Sequence, residues 1–388
     1  MNNLSALITE LCPNGVEYKE LQAVLKIKNG SDYKSFGEGD IPVYGSGGII
    51  AHTNRFAYDK PSVLIPRKGS VDKLYYVDVP FWNVDTIFYT EINTGLVIPR
   101  YVYHCLLREH LEKLNTAGGV PSLTQNVLNK VKIPVPPIEV QREIVRILDT
   151  FTELTAELTA ELTARQKQYE YYRDMLLSFG ENGGEETGNN INFFLVAEIA
   201  DTNIGLATTV TKYKANQGVL LIHNSDIQEN EIVLKQHEYI TEAFAEKNHK
   251  KRLQENDVIT VHTGDVGTSA VISKEYAGAI GFTTITSRIR NPQKVLPEYF
   301  CHYLNSHRCK AEIASMTISD RSNLNQNCFE KLRIPIPPID EQRRIVTILD
   351  HFSTLCTDLT SGLPAEIEAR KKQYEYYRDN LLSFTPAD

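Results

Sequence analysis

A twenty-residue segment occurs twice in this 388-residue chain. KIPVPPIEVQREIVRILDTF (132–151) returns as RIPIPPIDEQRRIVTILDHF (333–352), 201 positions later. ARQKQYEYYRDMLLSF (164–179) returns as ARKKQYEYYRDNLLSF (369–384), 205 positions later. The match extends upstream, where SLTQNVLNKV (122–131) aligns with NLNQNCFEKL (323–332), and a weaker echo pairs IPRYVYHCLL (98–107) with LPEYFCHYLN (296–305). A duplicated chain of this length is expected to fold as two like halves rather than around one core. The copying is uneven: 132–179 and 333–384 are closely copied at both ends, whereas 16–131 and 192–332 share only an outline. One shared framework therefore carries two different readers.

The copied segments are expected to be helices. Each opens with Ile-Pro-x-Pro-Pro, which is held extended because proline disfavours helix at the residue before it. In the first copy Ile144, Ile147, Phe151, Leu154, Leu158, Leu162, Arg165, Tyr169, Tyr172, Leu176 and Phe179 fall at alternating three- and four-residue steps. That is a coiled-coil seam with one extra four-residue step and one polar member, Arg165. The second seam, from Ile345 to Phe384, carries two such steps, and its Ser361-Gly362-Leu363-Pro364 is expected to break or kink the helix. A helix of about 40 residues is about 60 Å long. Two of them packed antiparallel would put the globular modules at opposite ends. The bland alternative is a pair of amphipathic helices in unrelated cores. GENGGEETGNN (180–190) is expected to be a flexible linker.

Composition excludes more than it identifies. No apolar run approaches the roughly 18 residues of a membrane span, and the N-terminus has no basic region ahead of an apolar core, so a cytoplasmic protein without a signal peptide is expected. The six cysteines form no CxxC pair and are expected to be reduced thiols, with no zinc site. The net charge of −8 speaks at first against nucleic acid. Most of it, however, sits on 132–191, with 6 basic against 11 acidic residues, and on 333–388, with 7 against 9. The divergent segments are near neutral, with 13 against 12 in 16–131 and 15 against 16 in 192–332.

Motifs for chemistry are lacking. No GxxxxGK[ST] phosphate loop and no Asn/Asp-Pro-Pro-aromatic methyltransferase motif occurs. Gly45-Ser46-Gly47-Gly48 fits a turn in a β-rich module better than a nucleotide loop, and His262–Gly267 fits a tight loop after a strand better than a catalytic His/Asp pair. Short β-type runs (62–65, 86–89, 219–222, 258–261, 270–272) and one helix near 99–114, matched at 297–313, make each module mixed α/β.

DNA contact needs Arg or Lys for phosphates and Arg, Asn, Gln or Ser for base edges. Candidates in the first module are Lys34, Tyr44, Ser46, Arg55, Lys60, Arg67 and Lys68. In the second they are Lys212, Lys214, His223, Asn224, Asn248, His249, Lys250, Lys251, Arg252, Thr263, Arg321 and Asn323, with 248–252 the densest basic run. Near identity of 164–179 and 369–384 suggests two equal docking sites for two equal partners, with Tyr169, Tyr172, Arg173, Tyr374, Tyr377 and Arg378 as candidates.

The IPxPPxxxQRxIVxILDxF and KQYEYYRDxLLSF segments together resemble the specificity subunit of a type I restriction–modification system. The tetrads Thr155–Leu158 and Thr159–Leu162 resemble the spacer repeat of the type IC branch. The resemblance implies a chain that is not itself an enzyme and binds no cofactor. S-adenosylmethionine, ATP and Mg would belong to partner subunits. It also implies two target-recognition domains (1–136 and 192–337) alternating with two spacer helices (137–179 and 338–384), joined by a linker at 180–191. Partners would be double-stranded DNA, two modification subunits and up to two restriction subunits, with no membrane. Each domain would read one half of a bipartite asymmetric target, the helices setting the gap. The competing readings are a coiled-coil scaffold with two ligand-binding modules, which accommodates the acidic charge more easily, and a self-contained enzyme.

Overall fold

The computed structural model describes residues 2–114, 122–179, 191–207, 209–316, 323–357 and 362–387. They form two compact units, each built from non-adjacent pieces of chain: residues 1–160 with 365–388, and residues 161–364.

The first unit opens with α1 (Asn2–Leu11), β1 (Tyr18–Glu20), α2 (Leu21–Val24) and β2 (Leu25–Lys28). Strands β3 (Ile41–Gly45), β4 (Gly48–Thr53), β5 (Ser62–Pro66), β6 (Tyr75–Val77), β7 (Trp82–Asn83) and β8 (Ile87–Ile92) follow. Helices α3 (Pro99–Arg108) and α4 (Gln125–Leu128) and strand β9 (Lys132–Pro134) complete the module, and α5 runs from Ile138 to Leu177. The sheets have the orders β2-β8-β5-β6, β4-β3-β7 and β1-β9.

The second module repeats this plan with β10 (Asn192–Leu195), α6 (Val196–Ile199), β11 (Ala200–Ile204), β12 (Lys214–Ala215) and β13 (Val219–His223). An inserted stretch carries β14 (Ile227–Gln228), β15 (Glu231–Ile232), β16 (Tyr239–Ile240) and α7 (Glu242–Lys247). Then come β17 (Val258–Val261), β18 (Ser269–Val271), β19 (Ile280–Phe282), β20 (Thr284–Ile289), α8 (Pro297–Leu304), α9 (His307–Met316), α10 (Gln326–Phe329) and β21 (Arg333–Ile336). The order β11-β20-β17-β18 restates β2-β8-β5-β6, and the parallel pair β13–β19 restates β3–β7.

The copied segments form the frame. Gln141 is fully buried and donates to the carbonyls of Leu96 (2.9 Å) and Pro136 (2.7 Å), while its Oε1 accepts from the Ile98 amide (2.9 Å). Gln342 does the same with Lys294, Pro337 and Leu296. Tyr101 donates to Pro134 as Tyr299 does to Pro335, and His104 meets Asp149 (2.9 Å) as His302 meets Asp350 (2.8 Å). Burial pushes the His104 imidazole below its usual pKa, which the Asp149 carboxylate only partly offsets. A buried amide that satisfies three backbone groups fixes where helix leaves strand, because each orphaned group would cost about 1–3 kcal/mol.

The helix expected near 99–114 ends at Arg108, beyond which His110 takes a left-handed φ of 49°. Its counterpart is split between α8 and α9. Asn305 spends its side chain on the Ser269 backbone and on Asn230, so the chain bends where that amide is anchored. The second copied helix is also divided, into α11 (Ile339–Thr357) and α12 (Leu363–Leu381), at the site the Gly and Pro mark; residues 358–361 lie outside the described ones.

Each unit joins the first half of one copied helix to the second half of the other. In the first, Phe151 stacks on Tyr377 at 5.0 Å; in the second, Tyr172 stacks on Phe352 at 5.5 Å. This exchange is the pairing of an antiparallel coiled coil. The last residues fold back on the first module: the Val16 amide donates to Thr385, and Ala387 donates to Val16.

Four of the tyrosines and arginines expected to face a partner are instead used inside their own unit. Arg173 is 5 % exposed and bonds Glu229 at 2.5 Å, and Glu229 is also held by Lys310 at 2.7 Å. Tyr169 accepts from Asn230, and burial raises its pKa to about 12. Tyr374 contacts His104 at 2.8 Å, and buried Arg378 lies over the Tyr374 ring. An amphipathic seam predicts burial but not its partner, here a globular module rather than a second protein.

Candidate nucleic-acid interface

A set of loops meets at the same place in both modules. In the first, β5 ends at Pro66 and the chain turns through Arg67, Lys68 and Gly69. The Arg67 and Lys68 amides donate to the Thr86 carbonyl (2.8 and 3.4 Å), and Leu123 donates to Arg67 (2.9 Å), bringing Ser122 beside Lys68. Gly69 has φ +77°, so a side chain there would be strained; an added Cβ would stand 3.7 Å from Ser46 Oγ. Ser46 caps the β3–β4 ribbon, its amide donating to Thr86 Oγ1 (3.3 Å) and its carbonyl accepting from Tyr75 (3.2 Å).

In the second, β17 ends at Val261 and the chain turns through His262, Thr263 and Gly264. The His262 amide donates to Thr283 (3.2 Å), and Leu324 donates to His262 (2.8 Å), bringing Asn323 beside Thr263. Gly264 has φ +102°, and a Cβ there would stand 3.6 Å from Asn224 Nδ2. Asn224 donates to the Thr263 carbonyl (2.5 Å), and Thr263 donates to Asn323 Oδ1 (2.8 Å). Thus Ser46, Arg67, Lys68 and Ser122 correspond to Asn224, His262, Thr263 and Asn323: one backbone scaffold with different side chains. Loops on a rigid sheet are where recognition groups concentrate.

The structure brings Ser46, Arg67 and Lys68 together, and likewise Asn224, Thr263 and Asn323. Lys34, Lys60, Lys212 and Lys250 are exposed elsewhere on the modules. Arg55 lies over Phe36 at 5.2 Å, beside Trp82.

Other candidates have their polar atoms engaged within the module or buried. Lys214 pairs with Glu238 at 2.6 Å, near His223 at 3.5 Å. Lys251 donates to the Ile204 and Gly205 carbonyls (2.6 and 2.8 Å), and burial lowers its pKa. Arg252 pairs with Glu242, and Asn248 donates to Phe244. Tyr44 lines a small core with Phe81 and Tyr75, its pKa raised by burial and then by Asp78. The basic run 248–252 is therefore largely a structural brace; His249 contacts its own helix turn at Glu246. Arg321 lies outside the described residues.

Sequence reasoning missed His262, Ser122 and the threonine pair Thr86 and Thr283. The repeat did mark Ser122 and Asn323 at an offset of 201. The segment His262–Gly267 is a loop after β17, as its sequence suggests: His262 contacts Thr263 and Asp265 accepts from Thr268. Among the described residues no group of three or more His, Cys, Asp or Glu could hold a metal, and all six cysteines are free thiols. No described helix is long and apolar enough to cross a membrane.

Fold and loops define a tandem recognition protein, with duplicated scaffolds presenting unlike surfaces. Comparison with known proteins identifies which. The family described as "Type I restriction modification DNA specificity domain" matches residues 13–165 and again 190–369. A Haemophilus influenzae chain named as a type I restriction enzyme specificity subunit is 32% identical over 99% of this chain and all of its own length. The Escherichia coli EcoR124I/EcoR124II specificity subunit is 36% identical over 76% of this chain and 73% of its own. The S subunit of a Mycoplasma genitalium type I system has the same fold (TM-score 0.60, 15% identity, 95% and 96% covered). So does a chain from a structure of type I complex assembly (TM-score 0.63, 18% identity, 95% and 98% covered). The chain belongs to the type I restriction–modification specificity subunits. It is the non-catalytic DNA-recognition component of such a system. DNA and the modification and restriction subunits are its implied partners.

Proposed function

We propose that each module reads one half of a bipartite, asymmetric DNA target and that the copied helices set the gap between the halves. The observation that carries this reading is the paired loop scaffold. Ser46, Arg67, Lys68 and Ser122 stand where Asn224, His262, Thr263 and Asn323 stand in the other module. Equal placement with unequal donors and acceptors is what two different half-sites require, since each base pair presents its own pattern in the major groove.

Two modification subunits and up to two restriction subunits assemble with this chain, in the type IC manner. S-adenosylmethionine, ATP and Mg are bound by those partners in the cytoplasm. The docking surface is the outward face of 164–179 and 369–384. There Lys167, Glu170 and Tyr171 (65 % exposed) repeat as Lys372, Glu375 and Tyr376 (66 % exposed). A solvent-facing stripe copied beside two divergent modules fits a common partner.

The test is methylome sequencing of cells expressing this chain with its modification subunit. One split motif with unlike halves and a constant gap supports the reading. Co-purification of the two proteins without a new methylated motif refutes it.

A further inference from the structure

Two of the most exposed aliphatic side chains in the first module are neighbours. Ile49 is 54 % and Ile50 52 % exposed, both on β4. Successive residues of a strand normally point to opposite faces, so joint exposure needs a cause. The cause is a bulge: Val43 pairs with Ala51 and Tyr44 with Ile49, which leaves Ile50 as the extra residue. Strand β4 is also the sheet edge. The pair adjoins the recognition loops. A Cβ at Gly45 would stand 3.3 Å from Ile50 Cγ2 and 3.7 Å from Thr86 Oγ1, and the Thr86 carbonyl anchors Arg67 and Lys68.

We propose that the β3–β4 ribbon enters the major groove of one half-site and that Ile49 and Ile50 recognise thymine 5-methyl groups there. This rests on the reading of the loops as a DNA surface. Strand β7 pairs with β3 only at Val43 and Tyr44, so the hairpin from Gly45 to Ile50 extends past it at the sheet edge. A two-stranded tip fits the width of that groove, and the thymine methyl is the apolar feature it displays. Branched aliphatics beside Arg67 and Lys68 suit a polyanion with an apolar spot inside it. The second module is built otherwise at this place. Strand β13 passes from His223 into the turn Asn224–Asp226, which sets an amide where the first module has its ribbon tip. An amide pairs with adenine N6 and N7. The two halves are therefore read by different chemistry, a methyl contact in one and a base-edge contact in the other.

The test uses the assembled complex with the modification subunit and duplexes carrying its methylome-defined motif. Each thymine is replaced in turn by deoxyuridine, which removes only the 5-methyl. The wild-type complex is expected to bind about fourfold more weakly per methyl lost, the effect of burying one such group, at one or two positions confined to one half-site. Ile49→Ala/Ile50→Ala is expected to lose that sensitivity, and Ile49→Val/Ile50→Val to retain it. Indifference of the wild type to every substitution, or a motif whose halves lack T·A pairs, overturns the proposal. So does an alanine variant that keeps the sensitivity, or one that folds but no longer joins the modification subunit, which would make the pair a protein contact. Failure of the wild-type complex to prefer any split motif would instead refute the underlying DNA reading.

Discussion

Inserting one Thr-Ala-Glu-Leu tetrad after Leu162 should lengthen the recognised gap by one or two base pairs. Helix α5 is continuous from Ile138 to Leu177, and the boundary between the two units falls at Ala160/Glu161, inside the tetrad stretch. Four residues add about 6 Å and about 40° of turn. B-DNA rises about 3.4 Å and turns about 35° per base pair. The rise therefore corresponds to nearly two base pairs and the turn to about one, which brackets the shift. Thr155, Leu158 and Leu162 are only half-buried and their neighbours are exposed, so an added tetrad disrupts little packing. It also keeps the three-and-four spacing of the seam. Inserting two residues instead turns the distal seam by about 200° and should abolish methylation of any motif. The assay is methylome sequencing of three strains carrying the original chain, the tetrad insertion and the two-residue insertion. An unchanged gap in the tetrad strain, with both half-sites retained, would refute the ruler argument.

Gln141→Leu should destabilise the first unit by about 3 kcal/mol, since three buried backbone groups lose their partner, and urea unfolding would measure it. Arg173→Ala should lower the stability of the second unit by about 2 kcal/mol, less than a fully buried pair because Lys310 still holds Glu229; Arg173→Lys should recover only part. Burial lowers the His104 pKa, so the unfolded chain takes up a proton there that the folded chain resists. Stability should accordingly fall as pH drops through the unfolded histidine value near 6.5, and His104→Gln should flatten that slope in melts between pH 8 and 5. Lys68→Ala should weaken DNA binding with little change of motif and reduce the salt slope by about one. Asn224→Ala should instead relax the bases accepted in one half-site, as read by the methylome.

The frame was legible because duplication wrote it twice. Proline before helix, the seam and the Gly-Pro interruption near 361–364 are local signals, and α5, α11 and α12 follow them. The recognition loops were half legible. Glycine, serine and basic residues around 46 and 67–68 marked a turn, but nothing in the sequence aligns Ser46 with Asn224 or Arg67 with His262. Those offsets are 178 and 195, against 201 and 205 in the copied parts, because the inserted strands and α7 change the loop lengths. Charge was the poorest guide. Lys214, Lys251 and Arg252 looked free in sequence, yet each meets its carboxylate or carbonyl across 10 to 47 residues of chain. Arg173 and Glu229 are 56 residues apart, and only folding could show that they meet.

The contact between Val16 and residues 385–387 gives the molecule the connectivity of a ring. A Cβ added at Gly15, whose φ is +90°, would stand 2.7 Å from the Pro386 carbonyl oxygen, so the two strands of chain meet backbone to backbone. Chain order is then an accident of where the ring is cut. Linking the two ends of this chain through a glycine linker and opening it within 180–190 would put the present second module first while keeping α1, whose Leu4 is buried in the first core. Every piece of each unit is still present in such a chain, so the same two units are expected to form.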